Sequence, residues 1–131
     1  MRILFVEDNE INRRVVKEML RSGGIEMAEA EDGFAGLAMI EANDYDVILM
    51  DLRMPNMDGM TATRHLRARP DAKGKTPVIV ITADDGLSID AECLQAGADR
   101  VLRKPVSMAT LFETIVSVLP SAGQGGSMML A

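Results

Sequence analysis

Charged and hydroxyl side chains follow four apolar runs of this sequence, at the point where each run ends. Glu7 and Asp8 follow the first run, Asp51 the second, Thr82 the third and Lys104 the fourth. In an open parallel sheet the carboxyl ends of the strands meet along one edge, where such sheets build their binding sites. If the runs are parallel strands, carboxylates, a hydroxyl and an ammonium group converge there. Such a set is typical of a site for a divalent metal and a phosphoryl group.

The carboxylates predict a bound cation, because like charges held close together are unfavourable unless an opposite charge neutralises them. Mg²⁺ takes one or two carboxylates with waters and phosphate oxygens, so it is the expected ion, with Mn²⁺ as second choice. Asp51 is the best nucleophile candidate, since a carboxylate can attack a phosphoryl donor and form an acyl phosphate. The metal and Lys104 would neutralise charge on the transferred group, and Thr82 would bond one of its oxygens.

Each of these residues also has a structural interpretation. Glu7 or Asp8 could cap a helix that begins near Glu10. A threonine at a strand end is usually a β-branched filler, and a lone lysine is usually solvated. Capping does not explain Asp51 at the corresponding end of another strand. The four strand ends taken together therefore favour the chemical interpretation.

Pro105 directly follows Lys104. A residue before proline is restricted to extended backbone, so we expect the direction of the Lys104 ammonium group to be fixed. The sequence leaves the cis or trans state of this peptide bond open.

Apolar runs alternate with amphipathic stretches along the chain, which predicts an α/β fold with a parallel sheet. The runs 3–6, 47–50 and 78–81 are continuous, as expected of strands covered on both faces. The runs 25–30 and 101–102 are interrupted or short, which predicts edge strands. Five β–α units with right-handed crossovers result.

Helices are expected after each run. The second covers residues 33–43 and the third about 60–68, where a proline stops it. The fourth ends near Gly97, and the fifth is closed by Pro120 with Ser107 as its N-cap. Helical spacing predicts apolar faces of Ile11, Val15, Val16, Met19 and Leu20 in the first helix, Leu87, Ala91 and Leu94 in the fourth, and Leu111, Ile115 and Val118 in the fifth.

The bulk composition narrows the function classes. A chain of 131 residues suits one domain, which we place at residues 1–120, with 121–131 as a disordered tail. A net charge of −6 argues against a nucleic-acid partner, and no apolar stretch is long enough to span a membrane. The single cysteine, Cys93, and the lack of a signal-peptide pattern favour the cytoplasm. We expect Cys93 in a helix core and His65 on the surface.

Five motifs stand in order along the chain: Glu7-Asp8-Asn9, the stretch from Asp51 to Gly59, Thr82-Ala83, the stretch from Ala96 to Asp99, and Lys104-Pro105. Together they resemble the receiver domain of two-component response regulators. The resemblance covers about residues 1–119 and looks most like stand-alone receivers and the receivers of hybrid histidine kinases. Met1, immediately before the first strand, favours a single-domain protein over an excised piece. The likeness to stand-alone and hybrid-kinase receivers rests on the stretch from Cys93 to Asp99.

The resemblance implies a flavodoxin-like (βα)5 doubly wound sheet with strand order 2-1-3-4-5. It implies that Asp51 accepts a phosphoryl group from a phosphohistidine of a sensor histidine kinase or a histidine phosphotransfer protein. Asp8, Asp51 and the main-chain carbonyl of Arg53 would bind Mg²⁺, with Glu7 acting largely through water. Residues 82–83 and 104–105 would contact the phosphoryl group. A downstream protein partner would dock on the face formed by the fourth helix, fifth strand and fifth helix.

The sequence departs from the family at Val101, three positions before Lys104, where the family often has an aromatic residue that swings inward on activation. Movement of Thr82 or rearrangement of the fourth helix would then have to carry the signal. Two further side chains, Arg53 and Asp84, flank the pocket. Our hypothesis is that they meet across its entrance and control access of the hydrolytic water.

Alternatives from other classes remain. A flavodoxin-type FMN site needs a first loop of phosphate-binding backbone donors, whereas Glu7 and Asp8 repel phosphate. An aspartyl-phosphate phosphatase would place a general acid two residues past Asp51, where this chain has Arg53. A docking module that signals without phosphorylation would lack some of the acids, and all are present here.

Overall fold

The computed structural model describes residues 1–120, and the tail predicted over 121–131 lies outside this range. Strands and helices alternate along the chain, with a short 3₁₀ helix at Ala72–Lys75. The strands are β1 (Arg2–Val6), β2 (Glu26–Ala30), β3 (Val47–Asp51), β4 (Val78–Thr82) and β5 (Arg100–Arg103). The helices are α1 (Glu10–Ser22), α2 (Gly33–Ala42), α3 (Gly59–Arg67), α4 (Ile89–Ala96) and α5 (Met108–Val118).

The strands form one parallel sheet in the order β2-β1-β3-β4-β5. This confirms the predicted flavodoxin-like α/β fold with strand order 2-1-3-4-5. The interrupted run and the short run form the two edge strands, as their sequences predicted. The continuous runs form the three central strands, where side chains on both faces are buried.

Two hydrophobic layers cover the sheet, because successive side chains of a strand point to opposite faces. One layer packs residues such as Leu4 and Ile48 against α2, α3 and α4. The other packs residues such as Phe5 and Leu49 against α1 and α5. Helices on both faces leave the carboxyl ends of the strands as the place where polar groups can converge.

Polar side chains cap the helices that begin at this edge. Asn9 accepts a hydrogen bond from the backbone N–H of Asn12 at 2.9 Å and caps α1, so neither Glu7 nor Asp8 is used as the cap. Ser107 caps α5 as predicted, accepting from the backbone N–H of Thr110 at 3.1 Å. These caps satisfy N–H groups that would otherwise lack partners.

The predicted apolar face of α4 is wrong. The helix begins at Ile89, so Leu87 precedes it and is fully exposed, and Leu94 also faces solvent. The buried face carries Ile89, Cys93 and Ala96, which share helical spacing but lie on nearly the opposite side of the helix from the predicted stripe. Cys93 therefore lies in the core, as expected.

The predicted stripe of α1 is only partly buried. Val16 and Leu20 pack into the core, whereas Ile11 and Val15 remain exposed. His65 lies on the exposed side of α3, as expected. Within residues 1–120, no helix combines the length and apolarity needed to cross a bilayer.

Candidate functional site

The register of the sheet brings the predicted residues to one edge. Val6 pairs with Met50, and Met50 pairs with Val80, so β1, β3 and β4 end side by side. Glu7 follows β1 directly, while Asp51 and Thr82 are the last residues of β3 and β4. The loop after β5 brings the Lys104 ammonium group to the same edge.

Three carboxylates meet there. One oxygen each of Glu7, Asp8 and Asp51 lies within 4.8 Å of the others. Glu7 and Asp51 are almost completely buried, at 1% and 4% exposure, whereas Asp8 is exposed. The cluster therefore has two buried acids beneath one acid that is open to solvent.

Lys104 neutralises part of this charge. Its Nζ lies 2.9 Å from Glu7 Oε1 and 3.1 Å from Asp51 Oδ1. Glu7 also accepts hydrogen bonds from the backbone N–H of Asn9 at 3.2 Å and from Asn12 Nδ2 at 3.3 Å. One ammonium group thus faces two buried carboxylates, which leaves an excess of negative charge.

Burial, followed by the neighbouring Glu7 carboxylate, raises the pKa of Asp51 to about 7. Burial, the largest single effect, would also raise the pKa of Glu7, but the hydrogen bonds with Lys104, Asp51 and the Asn9 backbone together outweigh it and lower this pKa. Burial alone would lower the pKa of Lys104, but its bond to Glu7 and the charge of Asp51 raise it. Near neutral pH, Glu7 is therefore ionised, while about half of the Asp51 carboxyl groups hold a proton.

The donor set fits a hard divalent cation. Buried acids that hold a proton for want of positive charge will release it when a cation binds nearby. Carboxylate oxygens are the ligands that Mg²⁺ and Mn²⁺ prefer in proteins. Glu7, Asp8 and Asp51 therefore have the chemistry to hold Mg²⁺, as the sequence predicted.

The residues predicted to contact a phosphoryl group surround Asp51. Thr82 is buried at the end of β4, and Ala83 after it is exposed. The backbone N–H of Lys104 donates to the Thr82 carbonyl at 2.9 Å, which joins the two loops. The bond between Lys104 and Pro105 is cis. Val101, at the position of the usual aromatic, is half-buried against the layer that contains α4.

Arg53 and Asp84, the two side chains predicted to flank the pocket, form an ion pair. Nη2 of Arg53 donates a hydrogen bond to Oδ2 of Asp84, and this contact joins the loop after β3 to the loop after β4. The Arg53 side chain is mostly exposed, whereas that of Asp84 is 25% exposed. The hydrogen bond from Arg53 lowers the pKa of Asp84, so this carboxylate is ionised at neutral pH.

Sequence reasoning missed three residues that shape the site. Asn12 and Arg13 bind Glu7 from the first turn of α1, with Arg13 Nη1 donating to the Glu7 carbonyl at 2.7 Å. Gly59 approaches the backbone of Asp51 so closely that a Cβ would overlap its carbonyl oxygen. The pair Asp58-Gly59 signalled a turn, but only the folded chain shows that the glycine packs beneath Asp51.

An apolar cleft of about 570 Å³ opens beside the carboxylates. It runs between α1 and the loop that connects β5 to α5, and Glu7 and Lys104 form its end nearest Asp51. Its other lining residues are mainly apolar: Phe5, Asn12, Val15, Val16, Met19, Ile81, Ala83, Pro105 and Val106.

Comparisons with known proteins give a consistent match. The family model described as the response regulator receiver domain matches residues 3–116. Chemotaxis protein CheY-3 of Vibrio cholerae is 37% identical over 116 residues, which cover 88% of this chain and 88% of CheY-3. Sensor histidine kinase RcsC of Salmonella typhimurium is 38% identical over 116 residues. That match covers 88% of this chain, which spans only 12% of the length of RcsC.

Solved structures agree with this match. The receiver domain of sensor histidine kinase PA1611 from Pseudomonas aeruginosa PAO1 superposes with a TM-score of 0.81 at 39% identity. The match covers 88% of this chain and 94% of that domain, whose crystal structure has a magnesium ion coordinated in the active-site cleft.

Proposed function

Because this chain belongs to the family of response regulator receiver domains, we propose that it is a phosphoacceptor switch with Asp51 as the phosphorylated residue. Receiver domains are signalling modules of two-component systems and are generally not classed as enzymes. The observation that carries the proposal is the buried Asp51 carboxylate, held between two further acids and the Lys104 ammonium group. The expected donors are a sensor histidine kinase or a histidine phosphotransfer protein, and we expect the chain to act in the cytoplasm.

The proposed reaction is a transfer between two side chains. A carboxylate oxygen of Asp51 attacks the phosphorus of the partner's phosphohistidine and forms the P–O bond of an acyl phosphate. The P–N bond breaks, and the imidazole nitrogen leaves with its electron pair. Asp51 must be deprotonated to attack, and a pKa of about 7 leaves a large share of it protonated near neutral pH until a cation reaches the site.

The metal site that we propose uses Asp8, Asp51 and the main-chain carbonyl of Arg53, with Glu7 acting through water. Bound Mg²⁺, or Mn²⁺ in its place, supplies positive charge that favours the ionised form of Asp51 and stabilises the transferring group. Lys104 already lies 3.1 Å from Asp51 and offers the second positive charge to the phosphoryl oxygens.

The switch that we propose begins at the phosphoryl group. Thr82 and the backbone of Ala83 would contact its oxygens, and Pro105 would hold Lys104 in place for the same task. Val101 is too small to act as the aromatic lever, so Thr82 and α4 would carry the change to the face formed by α4, β5 and α5. A downstream protein partner, or a second phosphotransfer protein, would bind there.

Two other functions are less well supported. The acidic loop after β1 offers carboxylates where an FMN phosphate would need donors, which disfavours a flavodoxin-type site. Arg53 stands two residues after Asp51, where a phosphatase of the aspartyl-phosphate type would want a general acid, and it is already paired with Asp84. A docking module that works without phosphorylation is the outcome to expect if Asp51 accepts no phosphoryl group.

The first experiment is incubation with acetyl phosphate and Mg²⁺, followed by intact mass measurement beside an Asp51→Asn control. The proposal expects a gain of one phosphoryl group that requires both the metal and Asp51. Absence of any gain, with every divalent metal and with a phosphorylated histidine phosphotransfer protein as donor, would contradict it.

A further inference from the structure

The Thr82 hydroxyl is hydrogen-bonded to the loop that follows β4. Its oxygen accepts a hydrogen bond from the backbone N–H of Asp84 at 3.0 Å. Within residues 1–120, it makes no hydrogen bond to the Asp51 carboxylate. A threonine side chain moves between staggered χ1 wells, so turning the hydroxyl toward a phosphoryl group on Asp51 exchanges one partner for the other.

The position of the Asp84 backbone is itself fixed by the Asp84 carboxylate. Oδ1 accepts a hydrogen bond from the backbone N–H of Gly86 at 3.1 Å, which closes the first turn of the loop between β4 and α4. Oδ2 accepts from the guanidinium of Arg53, which lies on the loop after β3. The backbone N–H that holds the Thr82 hydroxyl is therefore tied to the opposite loop through one side chain.

We propose that Arg53, Asp84 and Thr82 form a latch that favours the unphosphorylated state. Asp84 is a positioning residue: it presents its N–H to the Thr82 hydroxyl, and Arg53 keeps Asp84 in place. The latch opens when a phosphoryl group on Asp51 offers the hydroxyl a charged acceptor, since hydrogen bonds to charged groups are stronger than those between neutral groups. This inference rests on the proposed function, because it concerns the contact that Thr82 makes with the phosphoryl group.

The size of the effect follows from the exposure of the ion pair. Arg53 is 71% exposed and Asp84 25% exposed. Pairs of this kind shift an equilibrium by a factor of about two to five. The latch therefore sets how strongly the site prefers the unswitched state, and a phosphoryl group still opens it.

The test is titration of the full chain with beryllium fluoride at saturating Mg²⁺, which mimics the phosphoryl group on a carboxylate. Arg53→Ala and Asp84→Ala are expected to bind beryllium fluoride about two to five times more tightly than wild type. Arg53→Lys keeps the positive charge, so its affinity for beryllium fluoride should lie between those of wild type and Arg53→Ala. Arg69→Ala removes the surface ion pair with Asp71, whose atoms lie 2.7 Å apart, and serves as the matched control that leaves the affinity unchanged.

A second background shows whether the effect passes through the hydroxyl. In Thr82→Val the hydroxyl is absent, so adding Arg53→Ala should no longer tighten binding. An equal gain in both backgrounds would overturn the latch, as would weaker binding by Arg53→Ala in the wild-type background.

A third measurement separates the latch from the proposed function. The χ1 populations of Thr82, obtained from three-bond NMR couplings without any phosphoryl analogue, should shift toward a second rotamer in Arg53→Ala. That shift in a protein whose wild type binds no beryllium fluoride would support the latch and contradict the phosphoacceptor function. If wild type binds beryllium fluoride normally but the Thr82 populations are unchanged in Arg53→Ala, the phosphoacceptor function is supported and the latch is contradicted.

Discussion

At the scale of single residues, Asp51 shows how function and stability oppose each other. Its pKa is raised to about 7 by burial and by Glu7, whereas the ordinary value is 3.8. Between these values the folded chain holds a proton that the unfolded chain has released. The free energy of unfolding therefore falls as the pH rises through this window and levels off above it.

We accordingly expect Asp51→Asn to stabilise the metal-free protein. The amide removes the buried charge, so the gain should be on the order of 2 kcal/mol at about pH 8 and should vanish near about pH 4. Urea denaturation in a chelator at both pH values measures it. Glu113→Gln, on the exposed side of α5, is the control for general charge removal. A gain that is equal at the two pH values would contradict the buried charge as its cause.

The ion pair between Arg53 and Asp84 leads us to predict an effect on the lifetime of the phosphoryl group. If Arg53 and Asp84 together limit the access of the hydrolytic water, either Arg53→Ala or Asp84→Ala opens the entrance. Each single variant should dephosphorylate faster by about two- to fivefold, and the double variant hardly faster than either. Dephosphorylation rates of the four proteins form the cycle, and additive effects would show that the two side chains act independently.

At the scale of elements, Lys73 shows how one ammonium group secures a helix end. Its Nζ donates to three carbonyls at the end of α2, those of Ile40 at 2.7 Å, Glu41 at 3.1 Å and Asn43 at 2.8 Å. Lys73→Met should lower the free energy of unfolding by roughly 1.5–3 kcal/mol, because the carbonyls lose a charged donor. Chemical denaturation measures the loss. The matched control is Lys75→Met, on the exposed side of the same 3₁₀ helix, and an equal loss there would refute the capping role.

The cleft beside α1 predicts how a protein donor reaches Asp51. Val15 is exposed on α1 and lines the cleft, whose inner end is formed by Glu7 and Lys104. A partner helix that presents a phosphohistidine can rest on this apolar surface with its imidazole at the carboxylates. A charged side chain in the cleft would then weaken docking of the donor protein without changing the reactivity of Asp51.

Val15→Glu should therefore slow transfer from a histidine phosphotransfer protein by about tenfold, since a buried unpaired charge at an interface is unfavourable by one to a few kcal/mol. Phosphorylation by acetyl phosphate should keep its rate. Val116→Glu, on the exposed face of α5 and outside the cleft lining, is the matched control. Equal slowing with both donors would place the effect of Val15 in the phosphoacceptor pocket and not in docking.

At the scale of the whole molecule, the sequence determines the sheet more clearly than the helix faces. Continuous apolar runs can only be buried strands or buried helices, and their length favours strands, so β1, β3 and β4 were predictable. In α4 the stripe of Leu87 and Leu94 and the stripe of Ile89 and Cys93 have the same period. Periodicity cannot choose between them, since the choice depends on where the preceding loop lets the helix begin.

In the candidate site too, some residues were predictable from the sequence and others were not. Residues that directly follow apolar runs, such as Asp51, were predictable because the sheet edge collects them. Asn12 and Gly59 were not, because their contacts depend on how α1 and α3 pack against the strand ends. The roles assigned to these residues stay predictions until the phosphoacceptor test is made.

The last prediction concerns how far a change at Asp51 travels. Thr82 lies between the pocket and the loop to α4, and Val101 packs from β5 against the layer that contains α4. With a valine in place of an aromatic lever, a shift of Thr82 should reach α4 through the loop that Asp84 organises. Hydrogen exchange measured with and without beryllium fluoride and Mg²⁺ should therefore change in residues 83–96 and in β5. The same measurement should leave unaffected both β2, which lies across β1 and β3 from the moving loop, and the part of α2 that packs on β1 and β2. Changes confined to the loops that touch Asp51 would mean that the signal does not reach the face formed by α4, β5 and α5, and a partner would then have to recognise the phosphorylated pocket itself.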